Sequence, residues 1–360
     1  MTPFAEANLP RSEVDMLGLR LHTPRPQTPR RLSGTRGRFW FTVLTVGVTG
    51  LLISWGGFVT SIEAGMAVPD WPRTFGSWNT FNPVENWWQR TPLLAEHGHR
   101  ILGQVVGLLT LVLAGWTYWN DPRRWMRYLG LGALALVIVQ GVLGGLRVTE
   151  SSLALAFVHA CTAQIFFSLL VAMALFTSQT WTTPAPPPSD APRRTPRRRR
   201  LIRLLLGTSA ALYGQIVLGA LLRHFGRGIG TAFAFVHIGG AFLVTALVVA
   251  SFVYAEKHFD DHPALRRGAW AMAGAVFVQF ALGLAAYLVL LNEMAAALRS
   301  VLQVGLTAGH LVVGALLMAA TVVTTLLAMR RVPVPRERSG DAAPPTAADE
   351  PVPSPRSAAQ

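Results

Sequence analysis

The segment Glu96-His97-Gly98-His99-Arg100 stands directly before a long apolar run that extends from Ile101 to about Trp119. Polar and ionisable side chains at the mouth of a hydrophobic helix are costly unless something binds them, so the segment predicts a ligand site, with a metal as the first candidate. The apolar run is long enough to cross a bilayer, since a spanning helix needs about 20 residues. The segment therefore indicates a membrane protein with a ligand site at the start of this helix.

The composition of the whole chain agrees with this interpretation. Of the 360 residues, 51% are hydrophobic and 14% are charged, and the mean hydropathy is +0.38. The net charge of +14 could suggest nucleic acid, but the arginines lie between apolar segments and in the tails, as the positive-inside rule predicts. We therefore expect a lipid bilayer as the partner, and no nucleic acid. Cys161 is the only cysteine, so neither an intramolecular disulfide nor a thiolate metal cluster can form.

Eight apolar stretches of spanning length predict an all-α membrane protein with eight transmembrane helices. A proline- and arginine-rich segment, 179–200, divides them into two halves of four, and we expect a cytoplasmic linker there. The halves are 39–178 and 201–329, and we expect the polar segments 1–38 and 330–360 to be disordered cytoplasmic tails. The predicted helices are 39–60, 93–119, 126–147, 154–178, 201–222, 231–254, 268–291 and 300–329.

The distribution of basic residues predicts the orientation. With the N-terminus inside, the inner segments hold 25 lysines and arginines and the outer segments hold 7. Both termini are therefore predicted to be cytoplasmic, in a multi-pass protein of the cell (plasma) membrane.

A short internal repeat supports the division into two halves. Gln-x-x-Leu-Gly occurs in the third, fifth and seventh predicted helices, at 140–144, 215–219 and 279–283. Ala-Phe-Val-His occurs in the fourth and sixth, at 156–159 and 234–237. Repeats at equivalent depth indicate duplication.

Four histidines lie near the start of the even-numbered helices: His99, His159, His237 and His310. In the predicted topology these helices all run from outside to inside, so the four imidazoles share a level near the outer surface. Two histidines in each half are typical of two six-coordinate haem irons. A small residue follows each histidine by four positions, which would leave a gap for a haem plane, although such residues also let helices pack closely. They are Gly103, Ala163, Ala241 and Gly314.

Other metals fit the sequence less well than haem. Zinc normally draws four ligands from one cluster, and two histidines in each half are too few without a nearby cysteine or carboxylate. Copper usually adds cysteine or methionine, and Cys161 lies two positions from His159 and so points away from it.

Charged residues near these histidines have two interpretations each. Glu96 shares the face of His99 and could move protons at a bound substrate, or could cap the helix N-terminus. Arg100, Arg147 and Arg223 are candidates for contacts with haem propionates, or could mark the membrane interface by snorkelling. The first outer loop, 60–92, is long enough to form a lid over a site at the outer surface.

The chain resembles the haem A synthase family, whose members mature haem for aa3-type cytochrome oxidases. The resemblance covers roughly 39–327 and rests on the order of its motifs along eight helices. These motifs are Glu96-x-x-His99-Arg100, the three later histidines, the Gln-x-x-Leu-Gly repeats, and Gly56-Gly57 leading to Pro69-Asp70-Trp71-Pro72.

The resemblance implies two pseudo-symmetric four-helix bundles and a function for each. In that family the N-terminal pair, here His99 and His159, serves the substrate haem O, and the C-terminal pair, here His237 and His310, holds a haem b cofactor. The glutamate matched by Glu96 is placed in the active site. The reaction oxidises the C8 methyl group of haem O, through a hydroxymethyl stage, to the formyl group of haem A. The expected partners are then haem O, the haem O synthase that delivers it and an unknown electron acceptor, and homo-oligomeric assembly stays open.

One departure concerns the first outer loop. Many family members carry a cysteine pair near Pro-Asp-Trp-Pro, whereas this chain has Gly65-Met66-Ala67-Val68 there. No function of that pair is transferred to this chain. Two other functions stay open from the residues: a b-type dihaem electron carrier, and a haem chaperone or exporter without chemistry. A transmembrane carrier would usually stack its haems on opposite sides of the membrane, which four histidines at one level disfavour.

Overall fold

The computed structural model describes residues 35–82, 85–183, 191–229, 231–291 and 301–331. Within these ranges eight helices are long and apolar enough to cross a membrane, so the predicted fold class is confirmed. They are α1 (Thr35–Ser61), α2 (Thr91–Asn120), α3 (Arg124–Thr149), α4 (Leu153–Thr177), α5 (Ala191–Ile229), α6 (Thr231–His258), α7 (Pro263–Leu291) and α8 (Val301–Arg331).

Two helices extend into segments that the sequence predicted as tail and linker. α1 begins at Thr35 rather than at 39, and α5 begins at Ala191, within the predicted linker. The arginine run 197–200 favours the helix, because arginine has a high helix propensity and the helix can continue beyond the bilayer. The rest of both predicted tails, 1–34 and 332–360, and the linker segment 184–190 lie outside the described residues.

The helices form two rings of four. In the first ring α1 contacts α2 and α4, and α3 contacts α2 and α4. In the second ring α6 contacts α5 and α7, and α8 contacts α7 and α5. The rings meet where α8 packs against α1 and α4, and where α4 packs against α5. This arrangement agrees with two four-helix bundles, and their pseudo-symmetry stays a prediction.

A buried ion cluster holds one end of the first ring together. Asp121, in the short connection between α2 and α3, is fully buried, and Arg38 and Arg123 lie within 2.8 and 2.7 Å of its carboxylate. Arg123 also donates to the carbonyl oxygen of Phe176, so the cluster joins α1, the α2–α3 connection and the end of α4. Burial raises the pKa of Asp121, but the hydrogen bonds and charge of Arg123, with the charge of Arg38, outweigh it and hold the pKa below its ordinary value.

The histidines lie toward the other end of the rings. Each of the four lies within the first ten residues of its helix: His99 in α2, His159 in α4, His237 in α6 and His310 in α8. At about 1.5 Å per residue, His99 and Asp121 are separated by roughly the thickness of a bilayer core. The fold thus places the four histidines toward one end of the helices and the Asp121 cluster toward the other end of the first ring.

Candidate functional site

Each of the four histidines packs against a glycine of the preceding helix. A Cβ atom added to that glycine would lie within 2.8 to 3.3 Å of the histidine Cε1 atom, which is closer than side chains normally pack. The glycines are required because the imidazole occupies the space that a side chain would fill. The pairs are Gly56 with His99, Gly144 with His159, Gly219 with His237, and Gly283 with His310.

Three of these glycines end the Gln-x-x-Leu-Gly repeats, and the glutamines of those repeats bind the same histidines. Gln215 Nε2 lies 3.1 Å from His237 Nδ1 and donates a hydrogen bond to the backbone carbonyl oxygen of His237 at 2.6 Å. Gln279 contacts His310 twice, with its side-chain Nε2 atom 3.2 Å from His310 Nε2 and its backbone carbonyl oxygen 3.1 Å from His310 Nδ1. The repeat is therefore a histidine-positioning unit.

Gln140 makes the corresponding contact in the first ring. In the amide orientation that satisfies its neighbours, the oxygen accepts hydrogen bonds from the Thr162 hydroxyl and the Ala163 N–H. Its Nε2 atom then lies 3.1 Å from both Nδ1 and the carbonyl oxygen of His159. Sequence reasoning found these glutamines as a repeat but missed their contact with the histidines. Their constant distance of four residues from the histidine-facing glycine was the available signal.

His99 differs from the other three histidines. Its glycine, Gly56, is preceded at the same distance by Leu52 instead of glutamine. The Nδ1 atom of His99 is buried and has no hydrogen-bond partner. The first helix thus carries a fourth copy of the unit in which the polar member is replaced.

The adjacent glycine, Gly57, faces the second ring. A Cβ atom there would lie 3.6 Å from the Cα atom of Ala308 in α8. The hydroxyl groups of Ser61 and Thr307 lie 3.1 Å apart at the same junction. The two adjacent glycines therefore let α1 pack closely on two elements: Gly56 faces His99 of α2, and Gly57 faces Ala308 of α8 in the second half.

A cavity of about 760 Å³ lies in the first half, and both His99 and His159 line it. Its volume is within the range typical of pockets for sizeable organic ligands. Three glycines in its wall, Gly103, Gly107 and Gly141, face open space. The predicted gap four residues after His99 is therefore present, and it opens on the cavity.

The corresponding prediction for Gly314 is wrong. A Cβ atom at Gly314 would lie 3.1 Å from the side-chain nitrogen of Gln279. The glycine after His310 therefore makes room for the positioning glutamine and not for a ligand.

His237 and His310 face each other in the second half. Their ring centroids are 6.4 Å apart, with 73° between the ring planes. Two imidazoles that bind one metal from opposite sides, each through a bond of about 2.0 Å, need centroids about 6 Å apart. The two rings are thus close enough that His237 and His310 would hold one haem iron between them.

The histidine pairs fit haem better than a bare metal ion. In the part of the chain that the structure describes, no group of three or more histidine, cysteine, aspartate or glutamate side chains could hold a metal ion. Haem needs only two protein nitrogens because the porphyrin supplies the other four ligands.

Glu96 lines the cavity, and both of its carboxylate oxygens are bound. Oε1 accepts a hydrogen bond from Arg100 at 2.9 Å, and Oε2 accepts one from the Val68 N–H at 3.0 Å. The alternative of a helix cap is wrong, because Glu96 lies beyond the first turn of α2, whose N-cap is Arg90. The carboxylate instead joins α2 to the first loop.

Arg100 continues this connection. Its guanidinium donates to the carbonyl oxygens of Asp70 and Val68, at 2.7 and 2.8 Å. The guanidinium of Arg147 donates to the carbonyl oxygen of Gly65 at 2.7 Å. Both arginines also line the cavity.

The third predicted arginine, Arg223, belongs to α5 but reaches the cavity of the first half. It donates to the carbonyl oxygen of Gly57 at 2.6 Å and to the Ser61 hydroxyl at 2.8 Å. Its neighbour His224 also lines the cavity. No local sequence pattern singles out His224, since only the contact between the two halves brings it to the cavity.

The first loop covers part of the cavity, in agreement with the predicted lid. Trp71 and Pro72 line the cavity, and the Trp71 indole packs directly on Gly145 of α3. Asp70 orders the loop by accepting hydrogen bonds from the N–H groups of Phe75 and Gly76, at 2.8 and 2.7 Å. Burial raises the pKa of Asp70, but these bonds and the charge of Arg100 outweigh it, so the pKa lies below its ordinary value.

His97, the other histidine of the starting segment, is not part of the cavity wall. It is fully buried, and its ring centroid lies 4.6 Å from that of Trp87. Of the two histidines in the starting segment, His99 therefore lines the cavity, and His97 packs against the first loop.

Eight helices that are long and apolar enough to cross a membrane define an integral membrane protein. Each of its halves carries one pair of histidines. Residues 38–234, more than half of the chain, match the family model described as "Cytochrome oxidase assembly protein", and the chain belongs to this family. The family membership predicted from the motifs is thereby confirmed.

Several relatives named "Heme A synthase" are similar to the chain. A protein of Methylobacterium sp. (strain 4-46) is 36% identical over 133 residues, which cover 35% of this chain and 34% of the relative. One from Symbiobacterium thermophilum is 28% identical over 249 residues, covering 62% of this chain and 77% of the relative. One from Bradyrhizobium sp. (strain BTAi1 / ATCC BAA-1182) is 25% identical over 230 residues, covering 56% of this chain and 60% of the relative. The matches thus span from about a third to about three quarters of these relatives.

Proposed function

We propose that the chain is a haem A synthase, a membrane oxidoreductase that prepares haem A for cytochrome oxidase assembly. Its reaction is the oxidation of the C8 methyl group of haem O, through a hydroxymethyl stage, to a formyl group. The observation that carries the proposal is the difference between the two histidine pairs. One pair lines a cavity of about 760 Å³, and the rings of the other pair lie 6.4 Å apart, close enough to hold one haem iron between them. The names of the relatives support the same function.

The first half is proposed to receive haem O, with His99 and His159 as the ligands that position its iron. A substrate must enter and its product must leave, which requires a cavity with open volume. The open space before Gly103, Gly107 and Gly141 supports a porphyrin lying against α2 and α3.

The second half is proposed to hold haem b between His237 and His310. Haem b supplies a redox centre through which electrons taken from the substrate can leave for an external acceptor. The Gln215 side chain at His237 Nδ1 and the Gln279 backbone carbonyl at His310 Nδ1 support a permanently bound cofactor, because such contacts fix the rings of metal ligands.

Glu96 is proposed to accept protons released when the methyl carbon is oxidised. Its carboxylate is in the cavity wall and is held in place by Arg100 and the Val68 N–H. A carboxylate held in this position can act as a general base.

Arg147 and Arg223 are proposed to bind the propionates of the substrate. Each donates to the protein through Nη2, at Gly65 and Gly57 respectively, and each lines the cavity. A guanidinium has five N–H donors, so others can bind a carboxylate at the same time. Arg100 is the weaker candidate, because it already binds Glu96 and two loop carbonyls.

The proposed location is the cell membrane, with both termini in the cytoplasm and both haem sites near the outer face. The excess of basic residues in alternate connections supports this orientation. Haem O would reach the first half from the haem O synthase.

Complementation tests the function in a cell. In a strain that lacks its own haem A synthase, the wild-type gene should restore the absorbance of an aa3-type oxidase, and a His99→Ala, His159→Ala variant should not. Equal absorbance from both genes would reject the proposed substrate site. An electron carrier or chaperone would restore no absorbance with either gene.

A further inference from the structure

The histidines of the two halves are held differently. In the second half the side-chain amide of Gln215 contacts Nδ1 of His237, and the backbone carbonyl oxygen of Gln279 contacts Nδ1 of His310. In the first half His159 contacts Gln140, whereas Leu52 occupies the glutamine position next to His99. The buried Nδ1 atom of His99 consequently has no hydrogen-bond partner.

A partner at Nδ1 matters for a histidine that binds metal through Nε2. It fixes the ring orientation and the tautomer, and it raises the basicity of the ligating nitrogen. A glutamine amide can serve either tautomer, since its nitrogen donates to a bare Nδ1 and its oxygen accepts from a protonated one. Loss of such a partner typically lowers metal affinity by about 10- to 100-fold.

Leu52 cannot provide this support. It has no polar atom, and it lines the same cavity as Gly56 and His99. The imidazole of His99 is therefore placed by its packing on Gly56 but is not oriented by a hydrogen bond at Nδ1.

We propose that the first half holds its haem iron through one fixed ligand, His159, and one releasable ligand, His99, because Leu52 stands where Gln140 and Gln215 contact the Nδ1 atoms of His159 and His237. The second half, with two fixed ligands, retains its haem. This inference rests on the proposed function, in which the first half must release a product and the second keeps a cofactor. Because Leu52 has no polar atom, it leaves the ring of His99 free to turn. This difference between the halves specifies which half exchanges its haem.

Carbon monoxide binding tests the inference independently of methyl oxidation. Carbon monoxide binds ferrous haem iron where an axial ligand can be displaced, so the full-length protein, loaded with haem b in both halves and reduced, should bind about one molecule for each two haems. The Leu52→Gln variant should bind almost none, because His99 gains the missing partner. It should also transfer haem to an apo-globin acceptor about tenfold more slowly in the fast phase.

A matched control separates the amide from the change of side-chain shape. Leu52→Met has an unbranched side chain close in size to glutamine but no amide, and it should bind carbon monoxide as the wild type does. The Gln215→Leu variant should have the opposite effect, because His237 loses its partner at Nδ1 and the second half can then bind carbon monoxide. The number of carbon monoxide molecules bound should rise toward one for each haem. This second variant gives a readout even if Leu52→Gln does not accumulate.

Two results would overturn the inference: unchanged carbon monoxide binding in Leu52→Gln, or equal loss of binding in Leu52→Met. Failure of the proposed function is a separate result. A wild-type chain that does not complement a synthase-deficient strain, but shows the carbon monoxide pattern above, would reject the synthase activity and support the ligand asymmetry. A chain that complements, with carbon monoxide binding unchanged in Leu52→Gln and in Gln215→Leu, would reject the asymmetry alone.

Discussion

Gly283 of α7 lies directly against the imidazole of His310 in α8, so that a Cβ atom on the glycine would be 2.8 Å from the histidine Cε1 atom. This is the tightest of four such contacts, and each lies between an odd-numbered helix and the next. The glycine sets how closely the two helices approach and where the histidine ring stands. The ligand geometry thus depends on a residue that has no side chain.

Replacing this glycine should release haem from the second half. Gly283→Ala would push the His310 ring away, and we expect at least half of the haem b to be absent from purified protein by pyridine haemochrome assay. Gly274→Ala, in the same helix, is the control, because a Cβ atom there meets nothing within 4 Å. At such a site alanine should stabilise the helix by about 0.5–1 kcal/mol. Equal haem content in both variants would show that the contact does not position His310.

Removing one histidine of the second pair should empty that half without unfolding the protein. We expect His237→Ala to lose the cofactor haem, seen as a lower ratio of haem to protein, with the same helix content by circular dichroism. His262→Ala is the control, since His262 lies in the α6–α7 connection and binds Asp261. Unchanged haem b in His237→Ala would contradict the assignment.

Glu96 can be tested for proton transfer separately from its contact with the loop. Glu96→Gln keeps an oxygen for the Val68 N–H but cannot take up a proton, and we expect haem A formation to fall about 10²-fold or more. Glu96→Ala should in addition expose the loop to proteolysis, because Arg100 and Val68 lose their shared partner. Glu85→Gln, an exposed carboxylate of the same loop, should change neither quantity. Haem A formation at the wild-type level in Glu96→Gln would leave Glu96 with a structural function only.

The Asp121 cluster predicts how stability depends on pH. The pKa of Asp121 is lowered in the folded protein, so its contribution to stability is present above the unfolded value of about 3.9 and is lost as pH falls through the folded value. The melting temperature of the wild type in detergent should therefore drop below about pH 4. Asp121→Asn should be less stable by about 3 kcal/mol at neutral pH, since Arg38 stays buried without its partner.

A control and a contrary result follow from the same cluster. Asp260→Asn, at an exposed position of the α6–α7 connection, should retain the acid transition of the wild type. If Asp121→Asn showed that transition unchanged, another carboxylate would be responsible for it.

Much of the fold, and the grouping of the candidate site residues, could be predicted from the sequence. Hydropathy predicts eight helices because a bilayer requires long apolar segments, and the level of the histidines follows from their distance to the helix starts. His99 and His159 indeed line one cavity, and His237 and His310 face each other.

The rest depended on contacts between helices. The glutamine repeats indicated duplication, but only the packing of α3 on α4 shows that Gln140 reaches His159. The inward position of Arg223 depends on how the two halves meet, which no local pattern encodes. The gap expected at Gly314 is filled by Gln279, because a small residue serves a side chain of the neighbouring helix as readily as a ligand.

The identity of the extracted haems tests the central claim most directly. The wild-type protein and the His99→Ala, His159→Ala variant should be expressed in a host that makes haem O but no haem A, and the haems should be separated by chromatography and identified by mass. We predict haem A or its hydroxymethyl intermediate with the wild type and only haem O and haem b with the variant. Wild-type protein that is present and loaded with haem, yet yields neither oxidised form, would contradict the assignment as a haem A synthase.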